Sequence, residues 1–124
     1  MYDKLLVVEV INQILQAISR IEYRFKPVTN PDYFLADEAG LEKLDSICMA
    51  LIGIGESLKN IDKISEKKLF INYTNIPWKR VMGMRDIISH HYFDIDAETV
   101  FDVCNSELNK IRIELEKIKE DLLR

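Results

Sequence analysis

The run Met84-Arg85-Asp86-Ile87-Ile88-Ser89-His90-His91-Tyr92-Phe93 brings an arginine, a histidine and a tyrosine within eight residues, in a chain that has 2 histidines. Arg85 carries a permanent charge on a fork of N–H donors whose shape matches phosphate oxygens. His90 exchanges a proton near neutral pH. Tyr92 offers a hydroxyl that can hydrogen-bond or be modified. Asp86 sets a carboxylate directly beside Arg85. Together these groups suit binding of a phosphate and proton transfer next to it. The plainer alternative is a helix end whose basic residues offset the C-terminal dipole, with Tyr92 packing beside Phe93.

Position is the difficulty. Five residues of ideal helix separate side-chain directions by about 140°, so Arg85 and His90 on one regular helix would not share a face. Two arrangements restore the pair. The helix can distort or end near Ser89 and swing the chain back. Alternatively, a two-fold axis beside this helix brings both copies of each residue into one cleft. His90 and His91 are adjacent and would point about 100° apart on a helix, which makes them poor joint metal ligands.

The elements that must hold this stretch read as helices. Val7, Ile11, Ile14, Ile18, Ile21 and Phe25 recur at alternating intervals of four and three, predicting a first helix from about Asp3 to Lys26, stopped by Pro27. A helical turn follows from Asp32 and ends near Asp37–Gly40. A second long helix is expected from Glu38 or Leu41 to Asn60, with an apolar face wide enough to be buried on more than one side. Gly53 and Gly55 weaken it by about 1 kcal/mol each, a cost explained if another helix approaches closely there. Glu56 follows Gly55 and is either a buried partner for Arg85 or an exposed edge residue.

Between Ile61 and Ile76 the pattern is weakest, and one short helix from Glu66 to Asn72 with Ser65 as its cap is expected. Pro77 suits the first turn of a third helix. That helix carries Trp78, Val81, Met82, Arg85, Ile88 and Ser89 and ends near His90 or His91. Asp94-Ile95-Asp96 reads as a turn, with Asp96 capping a fourth helix from Ala97 to Leu123. Its seam is Phe101, Cys104, Leu108, Ile111, Leu115, Ile118 and Leu122, with Glu107/Lys110 and Glu114/Lys117 on the outside. No strand pattern or internal repeat is evident. The expectation is a single all-α domain over residues 1–124, an up-and-down helical bundle of four to five helices. The stripes exceed what one bundle needs to bury, so a homodimer is expected.

Composition narrows the classes. A chain of 124 residues with 48% hydrophobic and 31% charged content suits one globular domain. No apolar run approaches the roughly 18 residues of a membrane span, and the N-terminus lacks signal-peptide regions. A cytoplasmic location without membrane attachment is the expectation. Cys48 and Cys104 sit in helical apolar patterns and read as reduced, buried thiols. No cofactor or metal is called for, because no C-x-x-C or H-x3-H spacing exists. The formal charge of −4 argues against coating nucleic acid. Between Ile61 and Tyr92, however, six basic residues face three acidic ones, leaving room for a local basic site.

The spacing Arg85-x4-His90-x-Tyr92 resembles the R-x4-6-H signature of the HEPN superfamily, in the R-x4-H-x-Y form of HepT-like toxins. The resemblance extends to Ile54-Gly55-Glu56, to Ile76-Pro77-Trp78-Lys79-Arg80-Val81-Met82-Gly83-Met84-Arg85-Asp86, and to His90-His91-Tyr92-Phe93-Asp94-Ile95-Asp96, in the family's order and spacing. Phe34-Leu35-Ala36-Asp37-Glu38 is a weaker echo. The match runs from about residue 34 to the C-terminus.

That resemblance implies a HEPN-like dimer with a composite site at the interface, and metal-independent RNA cleavage by attack of the RNA's own 2′-OH. It implies His90 as general base or acid and Arg85 as stabiliser of phosphoryl charge, these two being the catalytic pair. Asp86 and Glu56 are supporting residues, and Glu56 is favoured as a buried partner of Arg85. It also implies a partner, a small nucleotidyltransferase antitoxin (MntA-like), which transfers AMP to Tyr92. Two other readings stand beside this one. The chain is a non-catalytic nucleotide-binding subunit paired with such a nucleotidyltransferase, or a helical interaction protein with a vestigial motif.

Overall fold

The computed structural model describes residues 2–91 and 93–124, with the backbone alone for His90 and His91. Helix α1 spans Lys4–Phe25. It opens where the Asp3 carboxylate accepts a hydrogen bond from the Leu6 backbone N–H at 3.0 Å, satisfying one of the donors a helix start leaves unpaired. Its seam Val7, Ile11, Ile14, Ile18 and Ile21 is fully buried. Phe25 ends the seam against Phe101 and Phe34, with ring centroids 5.2 and 6.5 Å away.

The short helix α2 (Tyr33–Ala36) leads into α3 (Glu38–Ile64). Asp37 caps α3 by accepting from the Gly40 N–H at 2.8 Å. At 27 residues, α3 is the axis of the fold, packing against α1, α2, α4, α5 and α6. The wide apolar face read from its sequence is buried on these several sides, with Leu44, Ile47, Leu51, Ile54, Leu58 and Ile61 all in the core.

Ser65 does not start a helix. It is the C-cap of α3, fully buried. Its Oγ donates to the Asp62 carbonyl at 3.3 Å and accepts from the Leu69 N–H at 3.4 Å. Glu66 and Lys67 then adopt left-handed backbone, with φ of 56° and 62°, and Lys67 N–H closes the helix end on Asp62 O at 2.8 Å. Two non-glycine residues in this region cannot nucleate a helix at ordinary cost. The expected Glu66–Asn72 helix is therefore reduced to a 3-10 turn at Phe70–Asn72.

The third helix of the sequence reading is broken in two. Helix α4 covers Trp78–Met82, Gly83 interrupts, and α5 covers Met84–Ile88. The chain then becomes extended, with Ser89 at φ −136°, ψ 126°. A short antiparallel pair forms between β1 (Ser89–His91) and β2 (Asp94–Ile95), where no strand was expected. Ser89 faces Ile95 and His91 faces Asp94, so the ladder is irregular between Ser89 and His91. Five residues are too few to show an alternating pattern in sequence.

Asp96 caps the last helical stretch, accepting from Thr99 N–H at 3.1 Å. Helix α6 (Ala97–Asp102) continues through a π-turn (Val103–Glu107) into α7 (Leu108–Leu123). The π-turn adds a residue and shifts the register. The buried seam is Val100, Val103, Leu108, Ile111, Leu115 and Ile118, so Phe101 and Cys104 are half-buried neighbours of it rather than members. Glu114, expected outside, is buried at 5% exposure. The long seams are satisfied within one chain. The apolar side chains that remain exposed, such as Leu5, Met49 and Ile113, are scattered over different helices. Among the described residues no helix is long and apolar enough to cross a membrane.

Both cysteines are free thiols. Burial pushes each up to about 12, with Asp45 adding at Cys48 and Cys48 adding at Cys104. A thiolate is the reactive form, so neither should be labelled by a disulfide reagent at about pH 8 until the protein unfolds. From the ordinary thiol value of 9.0 up to about 12, the unfolded chain binds fewer protons than the native one. Stability should therefore be intact below pH 9 and fall as pH rises through that window. The Tyr73 hydroxyl, raised to about 12 by burial and by its bond to Asp121, acts in the same direction. Rapid native-state labelling, or denaturant midpoints unchanged on going to about pH 11, would contradict this placement.

Candidate functional site

Arg85 is held by its neighbours. Met84 and Ile88 anchor α5 in the core at 3% and 0% exposure, and Arg85 and Asp86 lie on the exposed side between them. Asp86 falls in the first turn of α5, where a carboxylate complements the positive end of the peptide dipoles.

The contact that seats α5 is at Gly55 of α3. A Cβ added there would lie 3.0 Å from the Val81 carbonyl oxygen, 3.1 Å from that of Met82 and 3.1 Å from Met84 Cβ. The main chain of the α4–α5 junction thus rests on the main chain of α3, as the glycine implied. Gly53 behaves differently, since nothing lies within 4 Å of a Cβ there. It lines an open groove of about 670 Å³ between α1 and α3, beside Met49, Ala17 and Arg20. The expected helix contact exists at Gly55 and is absent at Gly53.

Glu56 is exposed and is not a buried partner of Arg85. Its Oε2 pairs with Lys59 Nζ at 2.9 Å. One turn along the same helix surface is the shortest route to a cation, and both groups stay in water. The Lys59 hydrogen bond and charge hold the Glu56 carboxyl below its usual range, and the Arg85 guanidinium adds in the same direction.

Three interactions that the sequence reading missed steady α4. The Trp78 indole stacks on Phe70, centroids 4.4 Å apart, and its Nε1 donates to the Tyr73 carbonyl at 2.7 Å. Arg80 Nη1 bonds Glu107 Oε1 at 3.1 Å. Glu107 closes the π-turn, so a helix of uninterrupted register would have misplaced it. The one local signal is Ser106, whose hydroxyl donates back to the Asp102 carbonyl at 3.0 Å, a habit that bends helices.

The backbone between Arg85 and His90 changes character. Ser89 N–H still bonds the Arg85 carbonyl, but Ile88 O accepts from Asp96 N–H at 2.8 Å. Helix ends at Ile88, and His90 follows in β1. Of the two arrangements that could reunite the pair, the early helix end is present. The His90 and His91 side chains and Tyr92 lie outside the described residues.

With this geometry in view, the comparisons are decisive about family. The Ribonuclease HepT-like family matches residues 14–118. The chain belongs to the HepT-like ribonuclease family. Among its relatives, a "putative RNase" of Methanocaldococcus jannaschii is 42% identical over 69 residues, 56% of this chain and 56% of that protein. A "gamma-glutamylcyclotransferase and putative RNase" of the same organism is 32% identical over 112 residues, 90% of this chain and 47% of that protein. A "probable ribonuclease HepT" of Thermococcus cleftensis is 28% identical over 110 residues, 89% of this chain and 93% of its own length. The chain thus spans about half the length of several curated relatives it matches. No solved structure matches it at a significant level.

The two glycines give a direct test of how α5 is seated. Gly53→Ala should stabilise the protein by about 0.5–1 kcal/mol, because the methyl enters open space and helix propensity improves. Gly55→Ala should lose that gain or reverse it, because its methyl meets main chain at 3.0–3.1 Å. Equal stabilisation by both in thermal melts would mean α5 yields freely and is not fixed by this contact.

Proposed function

We propose that this chain is an endoribonuclease of the toxin type, working with Arg85 and His90. The observation that carries the reading is the helix end at Ile88. With helix ended there, the roughly 140° separation expected of one regular helix no longer governs the pair. The relatives named as ribonucleases support the same activity.

In this mechanism the 2′-OH of the RNA attacks the adjacent phosphorus and gives up its proton, the bond to the 5′-oxygen breaks, and a proton is delivered to that leaving oxygen. A 2′,3′-cyclic phosphate and a 5′-OH result. His90 transfers one of these protons, a role typically worth about 10²–10⁴-fold. Arg85 balances the negative charge that grows on the phosphoryl oxygens. Asp86 orients Arg85 or His90, and Glu56 tunes the Arg85 field from across the α3–α5 contact. The motif lies beside a two-fold axis of a homodimer, so that two copies build one cleft. Light scattering that finds only monomer at micromolar concentration removes this part of the proposal.

The activity assay uses total RNA and the purified chain. The parent should produce cyclic-phosphate ends, and His90→Ala should lower the rate by at least about 10²-fold. Arg85→Lys should also fall sharply with the fold retained, because a point charge replaces a two-pronged donor. An unchanged rate in the lysine variant would leave Arg85 a structural residue. A parent that binds nucleotide without cleaving RNA would favour the non-catalytic, nucleotide-binding subunit.

Regulation by a small MntA-like nucleotidyltransferase antitoxin completes the proposal. The Tyr92 oxygen attacks the α-phosphorus of ATP, loses its proton and releases pyrophosphate, leaving AMP attached. The added anion competes with RNA phosphate for Arg85 and blocks the groove by bulk. Tyr92→Phe should keep the fold and much of the activity yet resist silencing when the partner is co-expressed. Mass spectrometry should place added AMP on the Tyr92 peptide of the parent. Silencing of the phenylalanine variant as efficiently as the parent rules Tyr92 out as the switch.

A further inference from the structure

Phe93 is 95% exposed, the highest value among the large apolar side chains of the described residues, ahead of Met49 at 77%. It lies in the turn that joins β1 to β2. Turn positions favour glycine, proline, asparagine, aspartate and serine for conformational reasons, and phenylalanine is not among them. The base of this hairpin is firmly held. Ile88 is fully buried and its carbonyl accepts from Asp96 N–H at 2.8 Å. Asp96 caps α6, whose Ala97 and Val100 are in the core. With strands this short, rising about 3.3 Å per residue, the turn stands only roughly 10 Å beyond the end of α5. Phe93 is therefore carried close to the motif and kept in water.

We propose that Phe93 is a base-stacking platform of the ribonuclease site, taking the nucleobase next to the phosphate that Arg85 engages. This rests on the ribonuclease reading above. Single-stranded RNA presents unstacked bases, and an exposed aromatic ring is the side chain that receives them without regard to sequence. A protein partner other than the second copy proposed above is less well suited. Among the described residues, no other strongly exposed apolar side chain lies on α4, α5 or the hairpin, and the next residue, Asp94, is exposed and acidic. Protein interfaces need a contiguous apolar patch, whereas one base needs one ring.

The test uses the full chain and a 2′-O-methyl oligoribonucleotide, which lacks the attacking hydroxyl and reports binding alone. Phe93→Trp should bind it with quenched indole fluorescence. Phe93→Ala should bind about 5- to 150-fold more weakly. With cleavable RNA, Phe93→Ala should raise KM in proportion while kcat changes by less than about threefold. An abasic nucleotide at the stacked position should erase the difference between parent and alanine variant. The proposal is overturned if the parent cleaves RNA and Phe93→Ala binds and cleaves equally well. It is also overturned if the alanine variant turns a dimer into a monomer in light scattering and Phe93→Leu restores both dimer and binding, which would make Phe93 a contact between copies. Quenching by RNA in a chain that never cleaves it would sink the ribonuclease reading and leave the stacking role standing. A chain that neither cleaves RNA nor is quenched by it loses both.

Discussion

The main chain of α4–α5 lies against the main chain of α3 with no side chain between them at Gly55, and the geometry of the motif depends on that contact. Helix α5 has five residues, far fewer than an isolated helix needs to persist in water. Its direction is therefore borrowed from the 27-residue α3 beneath it. Met84 and Ile88 enter the core on one side of α5, and this turns Arg85 and Asp86 outward. The glycine costs α3 about 1 kcal/mol of helix propensity. In exchange the arginine stands on a fixed support rather than on a loop.

Two further constraints hold the ends of the segment. At its start, the Phe70–Trp78 stack and the indole bond to Tyr73 set where α4 begins. At its finish, the Ile88–Asp96 hydrogen bond and the cap at Asp96 tie the hairpin to α6. The π-turn links these ends from behind, since Glu107 at its close reaches Arg80 on α4. Inserting a residue into the long helix lets Val103 and Leu108 both face inward while α6 and α7 keep their separate neighbours. Such bulges are frequent near functional sites, and here it rotates one partner of α4 into reach.

The seam of α1, the breadth of the α3 face and the cap at Asp96 were all legible in the sequence, because each is a local pattern with a local cause. What was not legible came from contacts between distant segments. Ser65 looks like an N-cap by type, but the left-handed turn at Glu66 and Lys67 made it the end of α3. Phe101 and Cys104 fit a heptad until the π-turn moved the seam to Val100 and Val103. At the site, the triplet Ile54-Gly55-Glu56 pointed to the right contact but the wrong electrostatics. Glycine read as a place of close approach because its lack of a side chain has one meaning in a helix. A carboxylate has several, and Lys59 one turn away proved the cheaper partner than Arg85.

Those pairings bear on how an acidic chain would hold RNA under the proposed function. Glu56 and Glu107 flank the α4–α5 segment, and each is matched to a cation other than Arg85, Lys59 and Arg80 respectively. Both pairs are exposed and contribute little to stability. Their larger effect is to neutralise carboxylates that would otherwise repel a polyanion at the motif. Since the whole chain carries −4, attraction to RNA cannot come from its overall field, which salt screens beyond about 10 Å in any case. Under the proposed function it comes from close range, where the forked guanidinium of Arg85 would meet a phosphate and the ring of Phe93 a base. A site built this way would engage RNA one exposed nucleotide step at a time. It would also be silenced by a single nucleotide tethered inside it, because such a tether satisfies the same two contacts.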